Sequence, residues 1–224
     1  MVSTPPPPGP AVMSTLRVES PRFGRASDPG AFFAPEELCL PRCRVRTYLA
    51  GDGARLAEAT NASYAHLRAF LPWARPEQPT TAAEATARRF RGRWLLDEDY
   101  TLAIVSPDGQ TLLGGTGYHL RFGPRQTGMA EIGMWVRQDA TRQGLGLSVL
   151  DGLLRWGFDV WGWQRLVWRC AASNEAGRRL AERAGLVMEG ATRGDRMLPG
   201  GQVDDTLWFS ALADGEASRR RTVG

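Results

Sequence analysis

The chain has 224 residues, 28 Lys+Arg against 24 Asp+Glu, a formal net charge of +4 and 42% hydrophobic content that includes 8 Trp and 8 Phe. This is enough for one well-buried domain with tails and too little for two ordinary domains. No run approaches the ~18 consecutive apolar residues of a membrane span, and the start M-V-S-T-P-P-P-P-G-P has neither the basic nor the apolar part of a secretory signal.

The 3 cysteines, Cys39, Cys43 and Cys170, are odd in number and form no disulfide framework, and with 2 His they make no zinc site. A cytoplasmic protein without metal and without a membrane partner is expected. Every basic residue is Arg, and the positive charges are scattered. The one dense cluster, residues 219–221, reads as a solvated end, so a nucleic-acid partner is not expected.

In chain order, residues 1–38 are rich in Pro, Gly and Ser without periodicity and are expected to be disordered. The folded domain is placed at 39–212, with 213–224 as a flexible basic tail. Its first strand starts at Cys43, where C-R-V-R-T-Y alternates. Residues 52–67 read as a helix with Leu56, Ala59, Ser63 and Leu67 on one face, broken at Pro72 in Phe70-Leu71-Pro72-Trp73. Thr80 or Thr81 caps a second helix running to about residue 96, and Glu84 is placed for a capping box. Residues 100–105 form a strand, Pro107-Asp108-Gly109 a turn, and 112–120 a strand carrying Gly114, Gly115 and Gly117. After a loop at Gly123-Pro124-Arg125 come a strand at 130–136, a helix at 147–161 and a strand at 165–171. A helix at 175–184 ended by Gly185 and two closing strands, 187–193 and 205–212, complete the domain. The order β-α-α-β-β-β-α-β-α-β-β implies a mixed α/β sheet covered by helices.

Among the G-x-G triplets, only Gly144-Leu145-Gly146 lies between a strand and an amphipathic helix, with Leu147, Leu150, Leu154, Phe158 and Trp161 on one face. A helix start leaves backbone amides unpaired and carries partial positive charge, which suits a pyrophosphate. A carboxylate, Glu131, sits on the preceding strand. Together these are the parts of a site for a phosphate-bearing co-substrate.

The ordered set resembles the GCN5-related N-acetyltransferases (GNAT), particularly their RimJ/RimL-type branch. The family's pyrophosphate loop Q/R-x-x-G-x-G/A is matched by Gln143-Gly144-Leu145-Gly146-Leu147-Ser148, with Ser in the last place. Glu131-Ile132-Gly133-Met134-Trp135-Val136 is similar to the branch's fourth strand. Ser173-Asn174-Glu175-Ala176 and Ala184-Gly185-Leu186 are similar to its Asn-led helix and the turn that ends it. Leu71-Pro72-Trp73 resembles the segment after its first helix. The resemblance covers about residues 43–212.

It implies an α/β (α+β) GNAT fold: a mixed, mostly antiparallel sheet whose fourth and fifth strands splay apart, flanked by about four helices. Acetyl-CoA would enter between those strands. Main-chain groups of Met134, Trp135 and Val136 would pair with the pantetheine arm, and amides of Gln143, Gly144, Leu145, Gly146, Leu147 and Ser148 would hold the pyrophosphate. Asn174 would contact the arm or the thioester; as an ordinary residue it reads as an N-cap.

The chemistry implied is direct transfer of acetyl to a primary amine, a protein N-terminus or a small molecule, in a ternary complex. Glu131 is the expected base, directly or through water; its alternative is a surface carboxylate paired with an arginine. Main-chain N–H groups near Met134 and Trp135 would stabilise the oxyanion. The family's common tyrosine acid is missing from residues 175–185, which leaves Ser173 or a water to protonate the thiolate. Trp73, Tyr118 and His119 are candidates for the acceptor pocket, His119 with a strand-end structural role as its alternative. Cys170 reads as a buried, inert residue. Arg121 or Arg125 near the acceptor mouth would favour a carboxylated donor such as succinyl-CoA. A catalytically silent acyl-CoA-binding domain is the remaining reading, and the protein is expected to be a monomer or homodimer.

Overall fold

A computed structural model of the chain describes residues 32–214. The elements run β1 (Glu37–Leu40), β2 (Cys43–Thr47), α1 (Gly53–Ala62), α2 (Tyr64–Leu67), α3 (Thr80–Leu95), β3 (Tyr100–Val105), β4 (Leu112–His119) and β5 (Met129–Val136). They continue with α4 (Leu145–Trp156), β6 (Arg165–Ala171), α5 (Glu175–Arg183), β7 (Val187–Met197) and β8 (Val203–Leu212). All eight strands of the described residues join one sheet in the order β1-β2-β3-β4-β5-β6-β8-β7, antiparallel throughout except where β5 meets β6. This is the mixed, mostly antiparallel α/β architecture that the resemblance implies. No helix among the described residues is long and apolar enough to cross a membrane.

The sheet is covered on both faces. On one, Tyr100, Leu102, Ile104, Tyr118 and Ile132 pack with Val149, Leu150 and Leu153 of α4, and with Trp161 and Trp163 beyond it. On the other, Ala103, Val105 and Leu112 meet Leu56, Ala57 and Ala59 of α1 and Ala83 and Ala87 of α3, with Tyr48 among them. Alternation along each strand sends successive side chains to opposite faces, so neighbours in sequence serve different cores.

Four local readings change. β1 begins inside the segment expected to be disordered, at Glu37 and Leu38: Glu37–Leu40 pairs with β2 across the tight turn at Pro41-Arg42, and its Leu38 joins the core. The rest of that segment, up to residue 31, and the tail from 215 lie outside the described residues. The helix expected at 52–67 divides at Ser63, whose buried hydroxyl accepts the amide of Gln138 from across the fold, so the α-helices among the described residues number five.

The capping box at Glu84 is not formed. Pro79 precedes α3 without a side-chain cap, and the Glu84 carboxylate accepts the amides of Gly51 and Gly53 at the start of α1. That approach needs a glycine, because a Cβ at residue 53 would lie 2.5 Å from the Glu84 backbone. Finally, the helix expected at 147–161 begins at Leu145 and changes to a π turn over Gly157–Trp161.

One feature of the sheet positions the site. β5 and β6 pair only through Met129–Glu131 against Arg165–Val167, although the strands continue to Val136 and Ala171. Beyond Glu131 they part, opening a gap at their C-terminal ends beside the start of α4.

Candidate active site

The donor side is built from the turn before α4. Gly144 takes φ +79°, the left-handed region that favours glycine, and lets the chain double back into the helix. The amides of Leu145, Gly146 and Leu147 form the first turn and have no acceptor four residues back. The amide of Ser148 donates to the Gly144 carbonyl at 3.0 Å, which removes it from the expected cradle; only its hydroxyl remains on offer. A Cβ at Gly146 would meet Leu180 at 3.6 Å and Val136 at 3.9 Å, ordinary contact distances, so this turn packs beside the end of β5 without crowding.

Gln143 is held on both sides. Its side-chain amide donates to the Asp139 carbonyl at 2.8 Å, while its Oε1 and main-chain carbonyl accept from Arg42 in the β1–β2 turn. Arg42 therefore adds a cation beside the helix start. Sequence reasoning missed it, because it lies 101 residues from the loop it touches.

The gap itself offers main-chain groups. The Arg137 amide donates to Leu113 on β4 at 2.8 Å, and the Trp135 carbonyl also faces β4, against Gly114. Alternation then turns the N–H and C=O groups of Met134 and Val136 away from β4, into the gap. Trp135 is corrected accordingly: its main chain belongs to the β4–β5 ladder, opposite Gly115. A free helix start and an unpaired strand edge fit an anionic, amide-bearing chain such as the pantetheine–pyrophosphate part of an acyl-CoA.

The acceptor side is the opposite face of the same strands. His119, Glu131, Gly117, Gly133, Gly115 and Trp135 share it, in the register His119–Glu131, Gly117–Gly133 and Gly115–Trp135. The Trp135 ring lies across Gly115 and meets Trp73 edge-on, with ring centroids 5.9 Å apart. At the other end the His119 ring leans over Gly133, where a Cβ would lie 2.8 Å from its Nε2. The imidazole thus covers Gly133, and Gly117 alone leaves a position without a side chain between it and the indole pair.

Glu131 is mostly buried and paired with Arg169 of β6, whose Nε and Nη2 both reach Oε2, at 2.8 and 2.5 Å. Arg169 in turn lies 4.8 Å over the Trp208 ring of β8. The arginine pairing weighed for Glu131 is therefore present, on the acceptor face. His119 Nδ1 lies 3.0 and 3.1 Å from the two oxygens of Asp99, which also accepts from the Thr101 hydroxyl. Burial raises the Asp99 pKa, but the hydrogen bond and charge of His119 outweigh it and hold the carboxyl below the usual carboxylate range. Nothing in the sequence marked Asp99: it precedes β3 by one residue and belongs to no motif.

The remaining candidates fall as follows. Tyr118 is corrected: it points to the other face, fully buried between Trp156, Trp161 and Trp163, and its hydroxyl donates to the Leu153 carbonyl at 2.6 Å. Tyr118→Phe is expected to cost about 1 kcal/mol in chemical denaturation and to leave turnover unchanged. Asn174 caps α5, accepting the Gly177 amide at 3.0 Å, which leaves its side-chain N–H₂ to donate. The Ser173 hydroxyl and amide both donate to Asp204 of β8, at 2.6 and 3.1 Å, so the proton proposed for the thiolate is directed at a carboxylate. Arg125 is engaged with the Phe32 ring and the Trp161 carbonyl. Burial raises the pKa of both core thiols, that of Cys43 to about 11, which makes them poor nucleophiles.

Comparison with known proteins agrees with this geometry. Residues 42–187 match the model of the acetyltransferase (GNAT) domain. Among solved structures, the ribosomal-protein-S5-alanine acetyltransferase of Vibrio fischeri is 14% identical, with a TM-score of 0.69 over 80% of this chain and 97% of that one. RimL, a ribosomal L7/L12 alpha-N-protein acetyltransferase in complex with coenzyme A, is 19% identical, with a TM-score of 0.67 over 80% and 99%. The microcin C7 self-immunity acetyltransferase MccE, in complex with acetyl-CoA and AMP, is 15% identical, with a TM-score of 0.69 over 77% and 93%. These likenesses are of fold. No curated protein sequence matches the chain. The family match takes in well over half of the sequence and contains the strand, the glycine turn and the Asn-led helix, and the chain belongs to the GNAT acetyltransferase family.

Proposed function

We propose that the protein is an N-acetyltransferase of the RimJ/RimL type, moving the acetyl group of acetyl-CoA to a primary amine by direct attack in a ternary complex. The observation that carries this reading is the parting of β5 and β6 beyond Glu131, with the free amides of Leu145, Gly146 and Leu147 at its mouth. Acetyl-CoA supplies an activated acyl group. The first turn of α4 and Arg42 would hold its pyrophosphate, the main chain of Met134 and Val136 would pair with its arm, and the Asn174 amide would donate to it. The Met134 N–H, turned into the gap, would meet negative charge on the acyl oxygen.

On the other face, the amine would approach over Gly117, between Trp135 and His119. Glu131 keeps one carboxylate oxygen free of Arg169, and that oxygen would accept a hydrogen bond from the amine, directly or through water. The acceptor is a protein N-terminus or a small-molecule amine; the ribosomal-protein acetyltransferases of the same fold make the first the leading case. Thiol release with acetyl-CoA and succinyl-CoA, over Ser- and Ala-initiated peptides and spermidine, tests this. Turnover with acetyl-CoA and an amine is expected. Acetyl-CoA binding without turnover would indicate a silent binding domain, and faster turnover with succinyl-CoA would replace the donor.

A further inference from the structure

We infer that His119, oriented by Asp99, is the group that takes the proton from the attacking amine. The inference rests on the N-acyltransferase reading and assigns a role that Glu131 would otherwise fill. Two proton acceptors face each other across β4 and β5, since His119 and Glu131 are register partners. Their surroundings differ.

Glu131 is tied to β6, because both Nε and Nη2 of Arg169 donate to its Oε2 and leave only Oε1 outside that pairing. His119 has an ionised carboxylate on Nδ1. A carboxylate only accepts, so Nδ1 must bear the hydrogen, and the lone pair of the neutral ring is left on Nε2. That nitrogen lies over Gly133, two residues past the point where β5 leaves β6 and next to Met134, whose main chain faces the gap. The glycine is required: a Cβ at 133 would come within 3.0 Å of both Nε2 and Cδ2 and swing the ring off Asp99. His119 is 17% exposed and Asp99 16%, so the pair is sheltered and Nε2 remains reachable from the acceptor face. The charged groups around the ring are Asp99 before β3, Glu131 on β5 and, behind Glu131, Arg169 on β6.

The step balances without a further reactant. The lone pair of the neutral amine forms the C–N bond to the acyl carbon, the C–S bond breaks, and its electron pair leaves as the CoA thiolate. The surplus N–H proton passes to Nε2 of His119. The imidazolium returns it through solvent to the thiolate, so CoA leaves as the thiol and the ring is ready again. Asp99 is a positioning residue: it fixes the tautomer and stabilises the imidazolium while the proton is held.

The test uses the full chain in two measurements. Nitrogen-15 NMR of the imidazole at neutral pH is expected to show the hydrogen on Nδ1 and a bare Nε2; a hydrogen on Nε2 overturns the inference whatever the acceptor. Thiol release is then measured with acetyl-CoA and the most active amine of the panel, from pH 5 to 9. His119→Asn keeps a donor to Asp99 but loses Nε2. It is expected to lower kcat by about 10²–10⁴, leave the KM for acetyl-CoA unchanged and flatten the acid limb of the kcat profile at saturating amine. Asp99→Asn is expected to lower kcat by about tenfold or more and to move that limb, with partial recovery in Asp99→Glu. A His119→Asn enzyme that keeps both rate and limb, while Glu131→Gln loses them, overturns the inference and leaves the N-acyltransferase reading standing. Absence of acetyl-CoA binding to the wild-type chain removes the reading and the inference together.

Discussion

Gly146→Asp is expected to weaken acetyl-CoA binding by about a hundredfold or more, with the melting temperature unchanged or raised. The two effects have separate causes. In the helix, replacing glycine removes a backbone-entropy penalty of up to about 1 kcal/mol, and an aspartate in the first turn interacts favourably with the partial positive charge there. The space exists, because a Cβ at 146 meets Leu180 and Val136 at ordinary contact distances, 3.6 and 3.9 Å. At the site, the new carboxylate stands among the amides proposed for the pyrophosphate, where it competes for them and repels the anion. Calorimetric titration with acetyl-CoA, beside a thermal melt, reads both quantities. Gly146→Ala serves as the control for bulk without charge. Wild-type affinity in Gly146→Asp would mean that the first turn of α4 does not hold the donor.

Asp52→Asn is expected to destabilise the fold by about 3–5 kcal/mol, because it leaves a buried guanidinium without its counter-charge. Arg46 of β2 reaches both Asp52 oxygens, at 2.7 and 2.9 Å, and the Leu49 amide donates to the same carboxylate at 2.8 Å. The side chains are 12% and 2% exposed, so solvent screens the pair little. For a domain of this size the melting temperature should fall by roughly 10 °C. Replacing both members with apolar residues should cost less than removing the acid alone, since no unpaired charge remains.

The effect also has a pH signature. Burial raises the Asp52 pKa, but hydrogen bonds from Arg46 and Leu49 and the charges of Arg46 and Arg55 outweigh it, so the folded value lies below the ordinary one. The stabilisation is therefore complete above the unfolded value of about 4 and is lost as the pH falls through the folded value. Denaturation of wild type and Asp52→Asn should differ most near neutrality and converge in acid. A difference independent of pH would show that the asparagine acts by packing alone.

Most strands were legible because alternation and turn residues mark them locally. Tyr100–Val105 and Arg165–Ala171 fall where their sequences place them, and Pro107-Asp108-Gly109 lies in the connection before β4. What the sequence hid was mainly pairing at a distance. Glu84 carries the spacing of a capping box, yet it serves a helix 31 residues earlier, where Gly53 admits it. Ser63 sits within a helical pattern, but its hydroxyl holds residue 138 and the helix divides there. β1 is only four residues long and follows a proline-rich stretch; its pairing with β2 and the burial of Leu38 on α4's face give it order.

The candidate site divides in the same way. The glycine turn and the strand 129–136 lie close together in sequence, and the order of motifs located them. Their individual roles depend on strand phase. One residue separates Tyr118, buried under α4, from His119 on the opposite face, and the same alternation takes the Trp135 main chain out of the gap while leaving that of Met134 in it. Asp99, Arg169 and Arg42 reach the site only through the sheet order and a tight turn, which no local pattern encodes.

The most direct test of the account is hydrogen–deuterium exchange of the full chain with and without acetyl-CoA at saturation. The account predicts one-to-one binding and slowed exchange concentrated at Met134, Val136 and the first turn of α4, Leu145, Gly146 and Leu147. Absence of binding, or protection elsewhere with these amides exchanging as in the free protein, would contradict it.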